Sequence, residues 1–133
     1  GMLAGGNLST FTPVLGTLAD ALEGRDDIIL FIEEVEEDMS HIDRMFNTLI
    51  LHGVLGKCRG IILGEFTGCG RNLDFGSVEQ MLCSYLEDCD IPVCCGFPAG
   101  HGEKNLPLVM GAQLSLKVGG EGSSLDFRLD GKS

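Results

Sequence analysis

The stretch IILFIEEV, residues 28–35, decides how the rest of the sequence is interpreted. β-Branched and aromatic residues crowd into its first five positions, which is typical of a buried strand. Strand periodicity of two puts Glu33 on the same face as Ile29 and Phe31, while Glu34 points to the opposite face. We therefore predict a strand over 28–35 that directs one carboxylate toward an apolar face.

The neighbouring sequence alternates predicted helices with predicted strands. Further strands are predicted at 59–66 and 91–95, and helices at 12–22, 40–53 and 77–88. This alternation is typical of parallel strands joined by crossover helices.

The tail has a different pattern. Apolar residues alternate with polar ones over 113–118 and again over 125–129, on either side of a GGEGSS turn, which predicts an antiparallel hairpin with one wet face. The predicted fold class is a mixed α/β domain with a small parallel sheet, a second antiparallel sheet with this C-terminal hairpin, and helices on one side.

Composition limits the possible functions. The chain has 133 residues, of which 44% are apolar and 22% charged, and this predicts one soluble globular domain. The net charge of −11 repels phosphate backbones and anionic lipid, so we expect neither nucleic acid nor membrane as a partner. The longest clean apolar run, 28–32, is far too short to span a bilayer.

The chain start and the cysteines carry two further expectations. Gly1–Met2 is typical of a scar left by tag cleavage, so we predict a natural chain that begins upstream, with a single domain over 3–133. The six cysteines include no CxxC pair, and Cys94 and Cys95 are adjacent, which suits neither an ordinary disulfide nor a zinc knuckle. Reduced structural thiols of a cytoplasmic protein are the expectation.

Candidate site residues fall in three loops beyond the carboxyl ends of the predicted strands, where ligands gather in open parallel sheets. These loops are 33–38, 65–72 and 96–105. His101, between two glycines in the third loop, could be idle in solvent, a metal ligand or a catalytic base. A zinc site built from His101, Glu33 and Cys69 is conceivable, but nothing in the spacing favours it.

The carboxylates of the first loop divide into two groups. Glu33 on an apolar face needs a hydrogen-bond partner, and an imidazole N–H would make it the orienting acid of a nucleophile–histidine–acid triad. Glu34, Glu36, Glu37 and Asp38 are interpreted as a solvated acidic turn that also suits the dipole of the following helix. The chain contains no GxSxG elbow, so its own residues supply at most two members of such a triad.

Six motifs, taken in order, resemble the C-terminal domain of LD-carboxypeptidases, a serine peptidase family that also includes microcin C resistance peptidases. The resemblance runs from Leu3 to about Leu116. The motifs are GGNLS (5–9), GT (16–17), ILFIEEVEE (29–37), IDRMF (42–46), GIILGEF (60–66) and GFPAGHGEKNLPL (96–108).

The resemblance implies a swivelling β/β/α domain and specific residue roles. Glu33 would be the catalytic glutamate, His101 the catalytic base, and Asn7 a residue near the substrate cleft. The serine nucleophile and oxyanion hole would lie in an N-terminal domain, so the isolated chain is expected to be inactive. Ser40–His41 departs from the pair common in relatives and leaves that lip of the cleft undefined.

The resemblance also implies the activity. It would be cytoplasmic removal of a terminal D-amino acid from murein tetrapeptides during cell-wall recycling, by a homodimer that needs neither metal nor other cofactor. Two alternatives stay open: hydrolysis of microcin C-like peptidyl or aminoacyl nucleotides, and a non-catalytic binding module. The loop after LGEF varies with substrate among relatives, so GEFTGCGRN does not choose between them.

Overall fold

The computed structural model describes residues 1–72, 76–99 and 107–128. It forms a six-stranded sheet in the order β6-β3-β2-β1-β7-β8, with a separate two-stranded ribbon β4-β5. The strands are β1 Met2–Asn7, β2 Ile28–Val35, β3 Cys58–Thr67, β4 Arg71–Asn72, β5 Gly76–Ser77, β6 Val93–Cys94, β7 Gln113–Gly119 and β8 Gly122–Arg128. The α-helices are α1 Leu8–Phe11, α2 Met39–Leu51 and α3 Val78–Tyr85, and short 3₁₀ turns cover Thr12–Val14 and Val54–Lys57.

Four strands of the sheet, β1, β2, β3 and β6, run parallel. The prediction of a strand over 28–35 is confirmed residue for residue, and this strand is buried almost throughout. The predicted strands at 59–66 and 91–95 are also present, the second reduced to two residues. The mixed α/β fold class is therefore confirmed, with its candidate site at the shared carboxyl edge of these strands.

Strand β1 was not predicted, because its sequence MLAGGN was interpreted as a loop. The two glycines make the segment look like a loop, but the close approach of the β1 and β2 backbones requires one of them. Gly5 has φ of 118°, and a Cβ there would collide with the carbonyl oxygen of Phe31 on β2. A glycine inside a strand often marks such a contact between backbones.

All three α-helices cover one face of the sheet, as predicted. Asp38 caps α2 by accepting from the backbone N–H of Ser40, and Ser77 caps α3 in a reciprocal capping box with Gln80. The apolar side of α2 buries Phe46 completely against the sheet. This helix-side core is the larger of the two hydrophobic clusters.

The hairpin β7–β8 covers the opposite face. Leu114 is buried with Phe31 and Ile62, and Leu116 packs so closely over β3 that a Cβ on Gly60 would lie 2.9 Å from its Cδ2. The hairpin was predicted as part of a second sheet. It is hydrogen-bonded to the edge of β1 and so continues the main sheet. Its apolar side chains also pack on the face of the sheet opposite the helices.

The predicted helix over 12–22 is wrong. Only the 3₁₀ turn Thr12–Val14 forms there, and the chain then runs through irregular turns to β2. Gly16 adopts a left-handed φ of 73°, and the Asp20 carboxylate accepts from the backbone N–H groups of Gly16 and Leu22 at 2.9 Å each. These side-chain bonds satisfy backbone donors that a helix would use, which favours turns.

Among the described residues, every helix falls short of the length and apolarity needed to cross a bilayer.

Candidate active site

Glu33 lies at the carboxyl end of β2, inside the protein. Only 6% of its surface is exposed, and strand alternation puts it on the hairpin-covered face with Ile29 and Phe31. On the neighbouring strand β1, its register partner is Asn7, the residue predicted from the GGNL motif. Two of the three predicted site residues therefore end adjacent parallel strands side by side.

A bulge in β3 faces Glu33. The register pairs Ile32 with Leu63 and Glu34 with Phe66, so two residues, Gly64 and Glu65, oppose the single residue Glu33. Bulges are common beside active sites, where they redirect side chains.

Gly64 is required at this bulge. A Cβ there would lie 2.6 Å from the Phe31 ring and 2.7 Å from the Ala99 carbonyl oxygen. Both distances are too short for any side chain, so the glycine lets the third loop pack directly on β3 beside Glu33.

Glu65 is a further candidate site residue, which the sequence alone did not single out. Its Oε1 is shielded from solvent and, among the described residues, accepts no hydrogen bond. A buried carboxylate oxygen in this condition is costly and is suited to accept a donor from a ligand. The GIILGEF motif contained it, but only the bulge shows that it lies opposite Glu33.

Glu34 contradicts the interpretation of a solvated turn. It is 3% exposed, because it lies on the helix-covered face and not in solvent. Its Oε1 accepts from the side-chain amide of Asn7 and its Oε2 from the backbone N–H of Ser9, both at 2.8 Å. This carboxylate therefore joins β2 to the start of α1, and its burial is compensated by hydrogen bonds.

Asn7 links the two faces of the edge. Besides donating to Glu34, it accepts through Oδ1 from the Thr10 N–H and the Ser9 hydroxyl, which caps α1. These bonds fix the turn that follows β1 and give Asn7 a structural function. Ser9 is held by Asn7 and does not itself cap the helix.

The other acidic residues of the first loop, Glu36, Glu37 and Asp38, are exposed or half-buried, in agreement with the predicted solvated turn. Asp38 caps α2, and the Glu37 carboxylate lies 2.9 Å from His41 Nδ1. The hydrogen bond from His41 lowers the pKa of Glu37 below its ordinary value. Glu36 is the only non-glycine residue with positive φ, 50°, among those described. Its N–H donates to the Thr67 carbonyl oxygen at 2.7 Å, which joins the first and second loops.

The described beginning of the third loop is bonded to the end of β3. Phe97 N–H donates to the Leu63 carbonyl at 3.0 Å, and Glu65 N–H donates to the Ala99 carbonyl at 3.1 Å. His101, the predicted base, lies outside the described residues. The chain leading to it thus passes the bulge opposite Glu33 two residues earlier.

Cys69 does not lie with Glu33. It packs in the helix-side core, where burial raises the pKa of its thiol, whereas Glu33 lies on the hairpin-covered face. Across the described ranges, no three His, Cys, Asp or Glu side chains converge as metal ligands would. The zinc site that the sequence left open has no support in this part of the chain.

Parallel strands whose carboxyl ends carry a buried glutamate and a helix-capping asparagine define an α/β domain with its candidate site at the sheet edge. The chain belongs to the family of LD-carboxypeptidase C-terminal domains, because the model of that family matches residues 1–116.

Relatives of this chain are carboxypeptidases and a self-immunity protein. A putative carboxypeptidase of Synechocystis sp. is 37% identical over 96% of this chain and 42% of its own length. A probable murein peptide carboxypeptidase of Bacillus subtilis is 35% identical over 89% of this chain and 37% of its own length. The microcin C7 self-immunity protein MccF of Escherichia coli is 34% identical over 87% of this chain and 33% of its own length. The chain thus spans less than half the length of these relatives.

Solved structures agree with this assignment. Muramoyltetrapeptide carboxypeptidase from Oxalobacter formigenes superposes with a TM-score of 0.81 at 27% identity, over 96% of this chain and 45% of that one. The structure of MccF in complex with aspartyl sulfamoyl adenosine superposes with a TM-score of 0.83 at 29% identity, over 96% of this chain and 38% of that one.

Proposed function

We propose that this chain is the acid- and base-supplying domain of a serine LD-carboxypeptidase that removes the terminal D-amino acid from murein tetrapeptides. The observation that carries the proposal is Glu33, a buried carboxylate at the carboxyl edge of a parallel sheet, in the motif position of the family's catalytic glutamate. The similarity to murein peptide and muramoyltetrapeptide carboxypeptidases supports this substrate class.

The reaction divides between this chain and a nucleophile domain upstream of Leu3. The upstream serine attacks the carbonyl carbon of the L,D-peptide bond, while the His101 imidazole takes the hydroxyl proton. His101 then returns that proton to the nitrogen of the leaving D-amino acid. Water hydrolyses the resulting acyl-enzyme through the same imidazole.

Glu33 would hold His101 in the correct tautomer and stabilise the imidazolium that forms at each transfer. Burial suits this role, because a carboxylate screened from water interacts more strongly with a cation beside it. Glu65, across the bulge, offers its shielded oxygen to a donor on the substrate. Asn7 completes the cleft wall at the end of β1.

The remaining features of the proposal follow the family. The enzyme acts in the cytoplasm as a homodimer, without a cofactor, and the 133-residue chain alone lacks a nucleophile and is inactive. Loss of a triad member costs several orders of magnitude in rate.

The test compares two forms of the protein on a murein tetrapeptide, with released D-alanine as the readout. The protein with its upstream domain should release D-alanine, and its His101→Ala variant and the isolated chain should not. The matched control is His52→Ala, because His52 is an exposed histidine at the C-terminal end of α2. Release of D-alanine by the isolated chain would contradict the division of the site.

A second candidate function is hydrolysis of aminoacyl nucleotides, favoured by the likeness to MccF with aspartyl sulfamoyl adenosine. Incubation of the same proteins with a hydrolysable peptidyl-nucleotide separates the two. Cleavage of that compound without D-alanine release selects the resistance function. Tight peptide binding with neither cleavage would indicate a binding module.

A further inference from the structure

Two of the six cysteines bring their sulfurs into contact. Cys83 Sγ on α3 lies 3.1 Å from Cys95 Sγ, which follows directly after β6. Cys95 is exposed and Cys83 is half-buried, so small reagents reach the pair. Among the described residues, this is the one pair of cysteine sulfurs within hydrogen-bonding distance.

The other thiols have different surroundings. Cys58 and Cys69 are buried and donate to the backbone carbonyls of Val54 and Thr67. Burial raises the pKa of Cys58 to about 12, which makes it unreactive near neutral pH. The adjacent Cys94 is also buried, whereas Cys95 is not.

The distance suits a covalent bond with little rearrangement. A disulfide needs sulfurs at about 2.05 Å, so the pair must close by about 1 Å. A change in two side-chain torsions can provide that movement. Cys83 and Cys95 are 12 positions apart, and the bond would close a short loop that contains the half-buried Cys89.

We propose that Cys83 and Cys95 are a redox modification site, where a low-molecular-weight disulfide such as glutathione disulfide converts the two thiols into an intramolecular disulfide. The inference is independent of the proposed function, since it concerns neither Glu33 nor His101.

The exchange takes place in two steps that balance. The Cys83 thiolate attacks one sulfur of glutathione disulfide and releases one glutathione thiolate. The Cys95 thiolate then attacks the Cys83 sulfur of this mixed disulfide and releases the second glutathione. Two protein thiols are oxidised, one glutathione disulfide is reduced, and the two protons end on the two glutathione thiols.

The environment of Cys95 assigns the order of attack. Desolvation, followed by its hydrogen bond with Cys83, raises the pKa of Cys95 to about 12. A thiol with a raised pKa forms little thiolate near neutral pH, which favours Cys83 as the first of the two to attack.

The bond would connect α3 to the start of the third loop. Phe97, two residues beyond Cys95, is already hydrogen-bonded to β3. Oxidation would thus constrain the chain that continues toward residue 101. Closing a loop of this size restricts the unfolded chain, and the melting temperature should rise by roughly 5 to 10 °C.

The experiment uses the 133-residue chain, reduced and then incubated with glutathione disulfide at pH 8. Free thiols should fall by two, the mass should decrease by that of two hydrogen atoms, and no glutathione adduct should remain. Digestion with Asp-N without reductant separates Cys83 from Cys95, because Asp88 and Asp90 lie between them. The fragments should stay linked until a reductant is added.

Variants identify the partner, since Cys94 and Cys95 share a fragment. The link should be lost in Cys83→Ser and Cys95→Ser and retained in Cys94→Ser and in the control Cys89→Ser. A link that persists in Cys95→Ser, a stable glutathione adduct, or a disulfide between two chains would overturn the proposal. Oxidation that leaves the melting temperature unchanged would contradict the predicted stabilisation by loop closure.

Discussion

Glu33 and Glu34 are consecutive residues on one strand, equally hidden from solvent, yet they belong to different regions of the molecule. Glu34 lies under the helices and is held by Asn7 and Ser9. Glu33 lies under the hairpin, opposite a bulge, at the edge where the three loops begin. Burial alone therefore does not distinguish the carboxylate that we propose as catalytic from the structural one, whereas the face that each occupies and the groups around it do.

The largest effect expected from this comparison is on catalysis. Glu33→Gln in the protein with its upstream domain should lower kcat for a murein tetrapeptide by about 10³- to 10⁴-fold, since an amide neither fixes the histidine tautomer nor stabilises imidazolium. Steady-state D-alanine release measures this, and urea denaturation should show a folded protein.

The control for Glu33→Gln is Glu36→Gln, which removes an exposed carboxylate three residues away. It should retain wild-type kcat. If Glu33→Gln kept more than a tenth of the wild-type kcat, Glu33 would not be the orienting acid, and its function would not differ from that of Glu34 in the way proposed.

The two faces should also differ in how much they stabilise the fold. Phe46→Ala, in the fully buried helix-side core, should lower the free energy of unfolding by about 3–5 kcal/mol. Leu116→Ala, half-buried where the hairpin packs on the sheet, should lower the free energy of unfolding roughly half as much, because less apolar area is lost. Urea denaturation gives both values.

Leu51→Ala on the same helix as Phe46 is the matched control, since its side chain is 86% exposed. We expect a change within about 0.5 kcal/mol. A larger loss in Leu116→Ala than in Phe46→Ala would reverse the assignment of the helix-side cluster as the main stabilising core.

Glu34 itself should behave as a structural residue. Glu34→Gln turns one of two acceptor oxygens into a donor, so either the Asn7 amide or the Ser9 N–H meets a second donor. The expected loss is about 2–3 kcal/mol in the free energy of unfolding. Wild-type kcat at a temperature where the variant is folded would complete the contrast with Glu33.

The sequence predicts the carboxyl edge of the sheet only where the residues that determine the structure are close together in sequence. The bounds of β2 and the face of Glu33 follow from one apolar run and its alternation, and both are confirmed. Strand β1 was missed because Gly5 is explained only by its contact with Phe31, a residue distant in sequence. Glu34 was misjudged for a related reason, since its partners lie in that missed strand and in α1.

Other errors come from pairing and from local competition. No sequence pattern indicates that β3 contains an extra residue opposite Glu33. The position of Glu65 therefore follows only from the register of the sheet. The helix predicted over 12–22 failed because Asp20 bonds the backbone of its own turn. The role of His101 stays a prediction, carried by its motif.

The smallest expected effect concerns Asp38, a third carboxylate of the same run, which is exposed and caps α2. Hydrogen bonds from Ser40 lower its pKa below the ordinary value of 3.8. A carboxylate whose pKa is lowered in the folded state stabilises the fold at any pH above its unfolded-state pKa. This stabilisation is lost as the pH falls through the folded-state pKa.

Asp38→Asn keeps the cap, because asparagine accepts the same hydrogen bonds, but it removes the titratable group. The urea midpoint should therefore be unchanged at pH 7 and should fall less than that of the wild type between about pH 5 and pH 2.5. Equal acid sensitivity of the two proteins would mean that the buried carboxylates, and not this cap, determine how the edge responds to acid.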